Sequence, residues 1–289
     1  MTAAIQRSYP VVLYTALAMI AFASNSLLNR LALGRGAIDA VSYTTVRLVT
    51  GALILVVIAL LQKNNGQTKV RGSWLSAGML FLYAAAFSFA YLSLSAGTGA
   101  LILFGSVQVT MILVALRSGE RPHLQVWLGV LLALGGLVYL VMPGLRSPSL
   151  PGSLLMTGAG IAWGGYSLRG RGSETPLADT TGNFLYAVPF ILFVRLVSLN
   201  GVHLSFDGVF LAVLSGAIAS GLGYVIWYAA LRGLTATRAA IVQLSVPFLA
   251  AWGGVMFLAE DVSLRLLFAG ALILGGIALA VLGRVRAQA

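Results

Sequence analysis

Tyr83, Phe87 and Tyr91 recur every four residues, and Ser220, Tyr224 and Tyr228 repeat that spacing later, so each trio lies along one face of a helix. Phe22 and Asn25 stand three residues apart, and Trp163 and Tyr166 hold the corresponding places in the second half of the chain. Two hydroxyl and amide pairs mirror each other: Ser106 with Gln108, and Gln243 with Ser245. Rings with hydroxyls and amides at helical spacing can stack on an apolar body and hydrogen-bond a polar head, which is the chemistry of binding. Bond-breaking chemistry has no comparable set. The chain lacks cysteine, and its two histidines, His123 and His203, fall near separate loops, so neither thiolate nor histidine metal sites are expected. Nothing resembles HExxH, GxSxG or GxxxxGK[ST], and Gly221-Leu222-Gly223 lacks the third glycine of a dinucleotide fingerprint. The adjacent acids Glu260-Asp261 read as solvated loop residues. The expectation is therefore a protein with no catalytic residues, no metal and no cofactor.

The elements that position these groups are set by composition. The 289 residues are 59% hydrophobic and only 9% charged, against about 25% charged in soluble domains. An all-α integral membrane protein follows. Apolar stretches of roughly 17 to 25 residues, the length of a membrane-crossing helix, predict spans at 10–32, 40–62, 73–94, 97–116, 124–142, 152–169, 180–199, 208–230, 235–258 and 264–283. That is about ten transmembrane helices, the first retained rather than cleaved as a leader.

The net charge of +11 sits in short segments beside apolar spans, which favours a topological reading over nucleic-acid binding. A cytoplasmic N-terminus puts Arg7, Lys63, Lys69, Arg71, Arg117, Arg121, Arg169, Arg171, Arg232, Arg238, Arg284 and Arg286 inside. Only Arg30, Arg35, Arg146 and Arg265 then fall outside, and both termini are cytoplasmic. The expected partners are a small-molecule solute and membrane lipid, with no nucleic acid; the sequence is compatible with a monomer and does not fix the oligomeric state.

The chain also repeats itself. Ile20-Ala21-Phe22 before Ser26-Leu27 and Arg30 matches Ile161-Ala162-Trp163 before Ser167-Leu168 and Arg171. Tyr91, Leu94 and Thr98 match Tyr228, Leu231 and Thr235, and Leu134-Gly135-Gly136 matches Leu274-Gly275-Gly276, with matched positions 137 to 141 residues apart. The predicted units, residues 1–145 and 146–289, each hold five helices. An odd number of spans inserts the two copies in opposite orientations, an architecture of secondary transporters with a site near the membrane midplane.

Polar groups at membrane depth are costly unless they face protein or water. Tyr83, Phe87 and Tyr224 are read as lining a cavity, with core packing as the alternative, and Tyr91, Trp227 and Tyr228 as an interfacial belt. Trp163 and Phe22 offer stacking surface. Asn25, Ser106, Gln108 and Gln243 either hydrogen-bond a solute or glue helices together. Pro189 and Pro247 remove backbone donors and mark places where a helix can bend or gate. Gly160 and Gly164 form a close-packing GxxxG.

No Asp, Glu, Lys or His falls near a predicted midplane, and Asp39, Arg47, Asp179 and Arg195 lie toward helix ends, where long side chains snorkel. A neutral or zwitterionic solute with an apolar body fits this pattern better than a phosphorylated one or a lone cation.

Phe22-Ala23-Ser24-Asn25 and Trp163-Gly164-Gly165-Tyr166, the Asp39 to Arg47 opening of the second helix, Glu120 and Glu260 after the fourth and ninth helices, and the glycine pairs 135–136 and 275–276 resemble the EamA-type branch of the drug/metabolite transporter superfamily. Length, repeat and aromatic spans most resemble its YddG-like aromatic amino-acid exporters. The resemblance covers about Pro10 to Arg286. It implies outward transport of amino acids, aromatic or large and neutral, and related metabolites across a bacterial inner membrane. It also implies a path formed by the third, fourth, sixth, eighth and ninth helices with help from the first. Facilitative transport is expected, since no titrating group lies at membrane depth. The alternatives are export of other small neutral metabolites or drugs coupled to protons or sodium and, more distantly, a non-transporting membrane protein or an enzyme.

Overall fold

The computed structural model describes residues 2–62, 70–117, 124–142, 147–170, 173–198, 201–231, 233–234 and 242–288. Apart from one isolated bridge, these residues contain no β-structure. The helices are α1 (Thr2–Gly34), α2 (Ala40–Leu61), α3 (Trp74–Ala90), α4 (Ala96–Arg117), α5 (Leu124–Val141), α6 (Leu150–Gly170), α7 (Pro176–Val197), α8 (Phe206–Leu231), α9 (Ser245–Leu258) and α10 (Leu264–Gln288). Four segments, Val11–Gly34, Ala40–Leu61, Pro176–Val197 and Phe206–Leu231, are long and apolar enough to cross a membrane by length and composition. This is a multi-pass membrane protein.

Local chemistry fixes the ends of these helices. The Asp39 carboxylate accepts from the Ser42 amide at 2.8 Å and caps α2, and the Ser205 hydroxyl accepts from the Gly208 amide to cap α8. Pro176 opens α7, at a position where its missing N–H costs nothing. The third helix ends at Ala90 rather than the expected 94, because the chain turns into α4 within five residues. Arg30 donates to the Tyr91 carbonyl at that turn. The first residues of the predicted ninth span, 235–241, lie outside the described residues, as do Glu120, His123, Arg146, Arg171, Arg232 and Arg238.

The core is largely apolar but encloses a set of polar groups, and the outer surface is apolar as well. Asn25, Asn29, Arg47, Ser88, Ser215 and Ser220 are buried, whereas Trp74, Phe193, Phe206, Phe248, Trp252 and Phe257 face outward. Lipid tails suit that outer surface, and buried polar groups must find partners within the bundle.

Helix pairing keeps its pattern when the halves are exchanged. Contacts α3–α6 and α1–α8 correspond, as do α4–α6 and α1–α9, and α3–α7 and α2–α8, while α2–α7, α4–α9 and α5–α10 pair each helix with its own repeat partner. The connections follow the same rule. Residues 37–39 bond to the α7–α8 connection (Asp39 N–H to His203 O, Ser205 N–H to Ala37 O), and the α2–α3 connection bonds to the start of α7 (Arg71 N–H to Ala178 O). Glycine permits the closest crossings. A methyl group on Gly276 would lie 2.6 Å from the Ala133 nitrogen across α5–α10, and one on Gly160 would lie 2.6 Å from Ser106 Cβ across α4–α6. The GxxxG of α6 is thus a packing motif.

Candidate solute site

Five helices meet around a small cavity near the middle of the bundle. Phe22 and Asn25 come from α1, Tyr83 and Phe87 from α3, Leu103 and Phe104 from α4, Trp163 from α6 and Tyr224 from α8. Trp163 is the hub: its ring centroid lies 4.8 Å from that of Tyr83, 4.9 Å from Tyr224, 5.5 Å from Tyr166 and 6.3 Å from Phe22. The space left for the centre of a water-sized sphere is about 10 Å³, room for about one water. Any larger solute requires the rings to part.

A polar network backs the α1, α2 and α8 side of this cavity. The Asn25 amide donates to the Ser220 hydroxyl at 3.1 Å, and the Ser215 hydroxyl donates to the Asn25 carbonyl oxygen at 2.6 Å. Asn29 donates to the Asn25 backbone carbonyl and accepts from Ser88. Ser215 and Ser220 both lie in a π-helical stretch of α8, Leu214–Leu222. Such stretches are rare and frequently occur at functional sites. Here the π turns bring two hydroxyls to one face, and Gly216 lets that face approach α2: a methyl group there would lie 2.3 Å from the Arg47 carbonyl oxygen.

Arg47 departs from the sequence-based expectation. It does not snorkel to a helix end; it is 1% exposed, inside the bundle. Its Nε donates to Ser220 at 3.2 Å and its Nη2 to the Tyr83 hydroxyl at 3.1 Å, and its guanidinium lies 5.2 and 5.1 Å from the ring centroids of Tyr83 and Phe87. A short α2–α8 crossing turns the side chain inward.

Of the residues singled out in the sequence, Phe22, Asn25, Tyr83, Phe87, Trp163 and Tyr224 line one cavity. Ser106, Gln108 and Gln243 are buried but do not line it. Pro247 instead lines an apolar groove of about 450 Å³ with Trp252, Leu101 and residues of α10, and Pro189 is exposed on α7. Among the described residues, the ninth helix contributes no wall to this cavity. Tyr91 and Trp227 are buried core residues, not an interfacial belt. Leu103 and Phe104 carried no sequence signal, being apolar residues in an apolar span.

Helix contacts flank the cavity along α1 and α6. On one side Glu260 joins Arg30 in an ion pair of 3.1 Å and accepts from the Ala96 amide at 2.8 Å, tying α1, α4 and the α9–α10 turn together. Toward the other end, Tyr166 stacks on Trp163. Near the start of α3, the end of α6 and the start of α7 lies a polar cleft of about 500 Å³ lined by Arg71, Ser73, Ser76, Arg169, Asp179 and Asn183 among others. Arg169 donates to Ser76 and Ser73 there, and Asp179 accepts from Ser173. Among the described residues no group of His, Cys, Asp and Glu is arranged to hold a metal.

Residues 10–142 and 150–282 each match the EamA-like transporter family. A Pseudomonas aeruginosa protein, "Uncharacterized protein PA1977", is 54% identical over 273 residues, covering 94% of this chain and 95% of that one. A solved structure titled "Crystal structure of protein" shares 21% identity and a TM-score of 0.68 over 94% of this chain and 97% of its own. At that identity it supports the fold alone.

Proposed function

The chain belongs to the EamA-like transporter family, and from that premise we propose that it is a facilitative exporter of aromatic or large neutral amino acids and related metabolites, with the ring-lined cavity as its solute site. Members of this family are transporters rather than enzymes. The observation that carries the reading is the convergence of Phe22, Tyr83, Phe87, Trp163 and Tyr224 on one cavity that also holds the Asn25 amide. Rings hold an apolar side chain, and hydroxyls and amides hold a polar head.

The proposed architecture is ten membrane helices in two inverted five-helix units, divided near residue 145, with both termini cytoplasmic in a bacterial inner membrane. It is supported by helix pairings and connections that keep their pattern when the halves are exchanged. A cysteine introduced at Ser147 should react with an impermeant reagent from the outside only, and labelling from the cytoplasm alone would reverse the orientation. Transport then proceeds by alternating access: the Arg30–Glu260 side and the Tyr166 side open in turn around the rings.

The test is uptake of labelled L-phenylalanine by proteoliposomes. A carrier without coupled ions equilibrates a zwitterion at one rate whether or not a pH, sodium or voltage gradient is imposed. Accumulation above the outside concentration under any one gradient would overturn the facilitative reading and direct attention to Asp39 and Asp179.

A further inference from the structure

Arg47 is a buried cation that the proposed function leaves unexplained. Its guanidinium is always protonated, and its Nη1 has no hydrogen-bond partner. The ion pairs of the described residues are Arg30 with Glu260 and Arg195 with Asp39, so no carboxylate among them neutralises Arg47. Hydroxyls and ring faces stabilise a buried cation only in part.

We propose that Arg47, which stands behind the cavity wall rather than in it, sets the charge class of the solute through the Tyr83 hydroxyl to which it donates, so that a carboxylate with a large apolar body is recognised whether or not it carries an ammonium group. The proposal rests on the reading of the ring-lined cavity as the solute site. Because Arg47 donates to the Tyr83 oxygen, the phenolic proton of Tyr83 must point away from the guanidinium. Tyr224 lies in the same wall, and its own hydroxyl lacks a hydrogen-bond partner. Two phenolic O–H donors therefore stand in one wall in front of a positive charge. A carboxylate, which accepts only, is their complement.

An ammonium ion would find ring faces but no anionic or free amide acceptor in this wall. The cavity wall contains no acid, and the carbonyl oxygen of Asn25 is already engaged by Ser215. The polar cleft at the α3, α6 and α7 ends adds to the bias: Arg71 and Arg169 face it with one acid, Asp179, which accepts from Ser173. A cleft of that balance concentrates anions.

Binding of four phenyl compounds to the purified full-length protein, read by tryptophan fluorescence and thermal stabilisation, tests the proposal. L-Phenylalanine and 3-phenylpropanoate carry the carboxylate, whereas L-phenylalaninamide and 2-phenylethylamine do not. The two acids should bind within about threefold of each other, and the amide and the amine about tenfold or more weaker. Arg47→Gln should erase the difference by weakening the acids. If that variant does not fold, the four affinities of the unaltered protein decide alone. An amine or amide binding as tightly as the acids would overturn the assignment of Arg47 and leave the aromatic site standing. Binding of none of the four would overturn the aromatic site and the proposal with it.

Discussion

Asn25 joins the α1 backbone to α8 through two hydroxyls, Ser215 and Ser220, and Ser220 also accepts from Arg47. Replacing it with leucine would leave both buried serines short of a partner. We expect Asn25→Leu to destabilise the protein by about 2 kcal/mol, read as a lowered melting temperature in detergent. A melting temperature equal to that of the unaltered protein would show that the network carries no such weight. The ring residues were legible because Tyr, Trp and Phe at a four-residue spacing stand out within an apolar span. Arg47 was misjudged because eight residues separate it from the Asp39 cap, which reads as close enough to snorkel. Whether a side chain turns in or out depends on the neighbouring helix, here the glycine crossing of α2 and α8.

At the level of elements, apolar length placed most helices within a few residues of their observed bounds. The π-helical stretch of α8 left no trace in hydropathy, because widening a turn changes which residues share a face and not how apolar they are. The Asp39 cap was legible from its place before an apolar run, but its tertiary partners were not. Burial raises the pKa of its carboxyl, but hydrogen bonds from Ser42 and the His203 amide and the charge of Arg195 outweigh this and leave it below the ordinary value. A depressed carboxylate stabilises the fold fully above its unfolded pKa, near the ordinary 3.8, and the contribution fades as pH falls through the lower folded value. Asp39→Asn keeps the cap but loses the acceptor of the His203 amide and the charge facing Arg195, so it should cost about 1 kcal/mol at neutral pH, and the gap to the unaltered protein should close below about pH 4. Melting curves between pH 7 and pH 3 would show this. A gap that widens on acidification would contradict the assigned sign.

At the scale of the whole molecule, the repeat read from scattered matches such as Tyr91 with Tyr228 reappears as helix pairings that survive exchange of the halves. The small volume of the cavity is not legible in the sequence, since it depends on how Trp163 packs against its ring neighbours in one conformation. A cavity with room for one water can serve transport only if its rings move, which ties the account to Trp163, where four aromatic neighbours meet. The most direct measurement is L-phenylalanine uptake by proteoliposomes carrying Trp163→Ala, Trp163→Phe or Trp252→Ala, each first shown to be folded by its melting curve. Trp252 is 62% exposed on the outer apolar groove and serves as the control. Trp163→Ala should lower uptake about tenfold, on the order of 1.4 kcal/mol for one lost stacking contact. Trp163→Phe should retain most of the rate and Trp252→Ala should leave it unchanged. A folded Trp163→Ala protein with undiminished uptake would contradict the central cavity as the solute site.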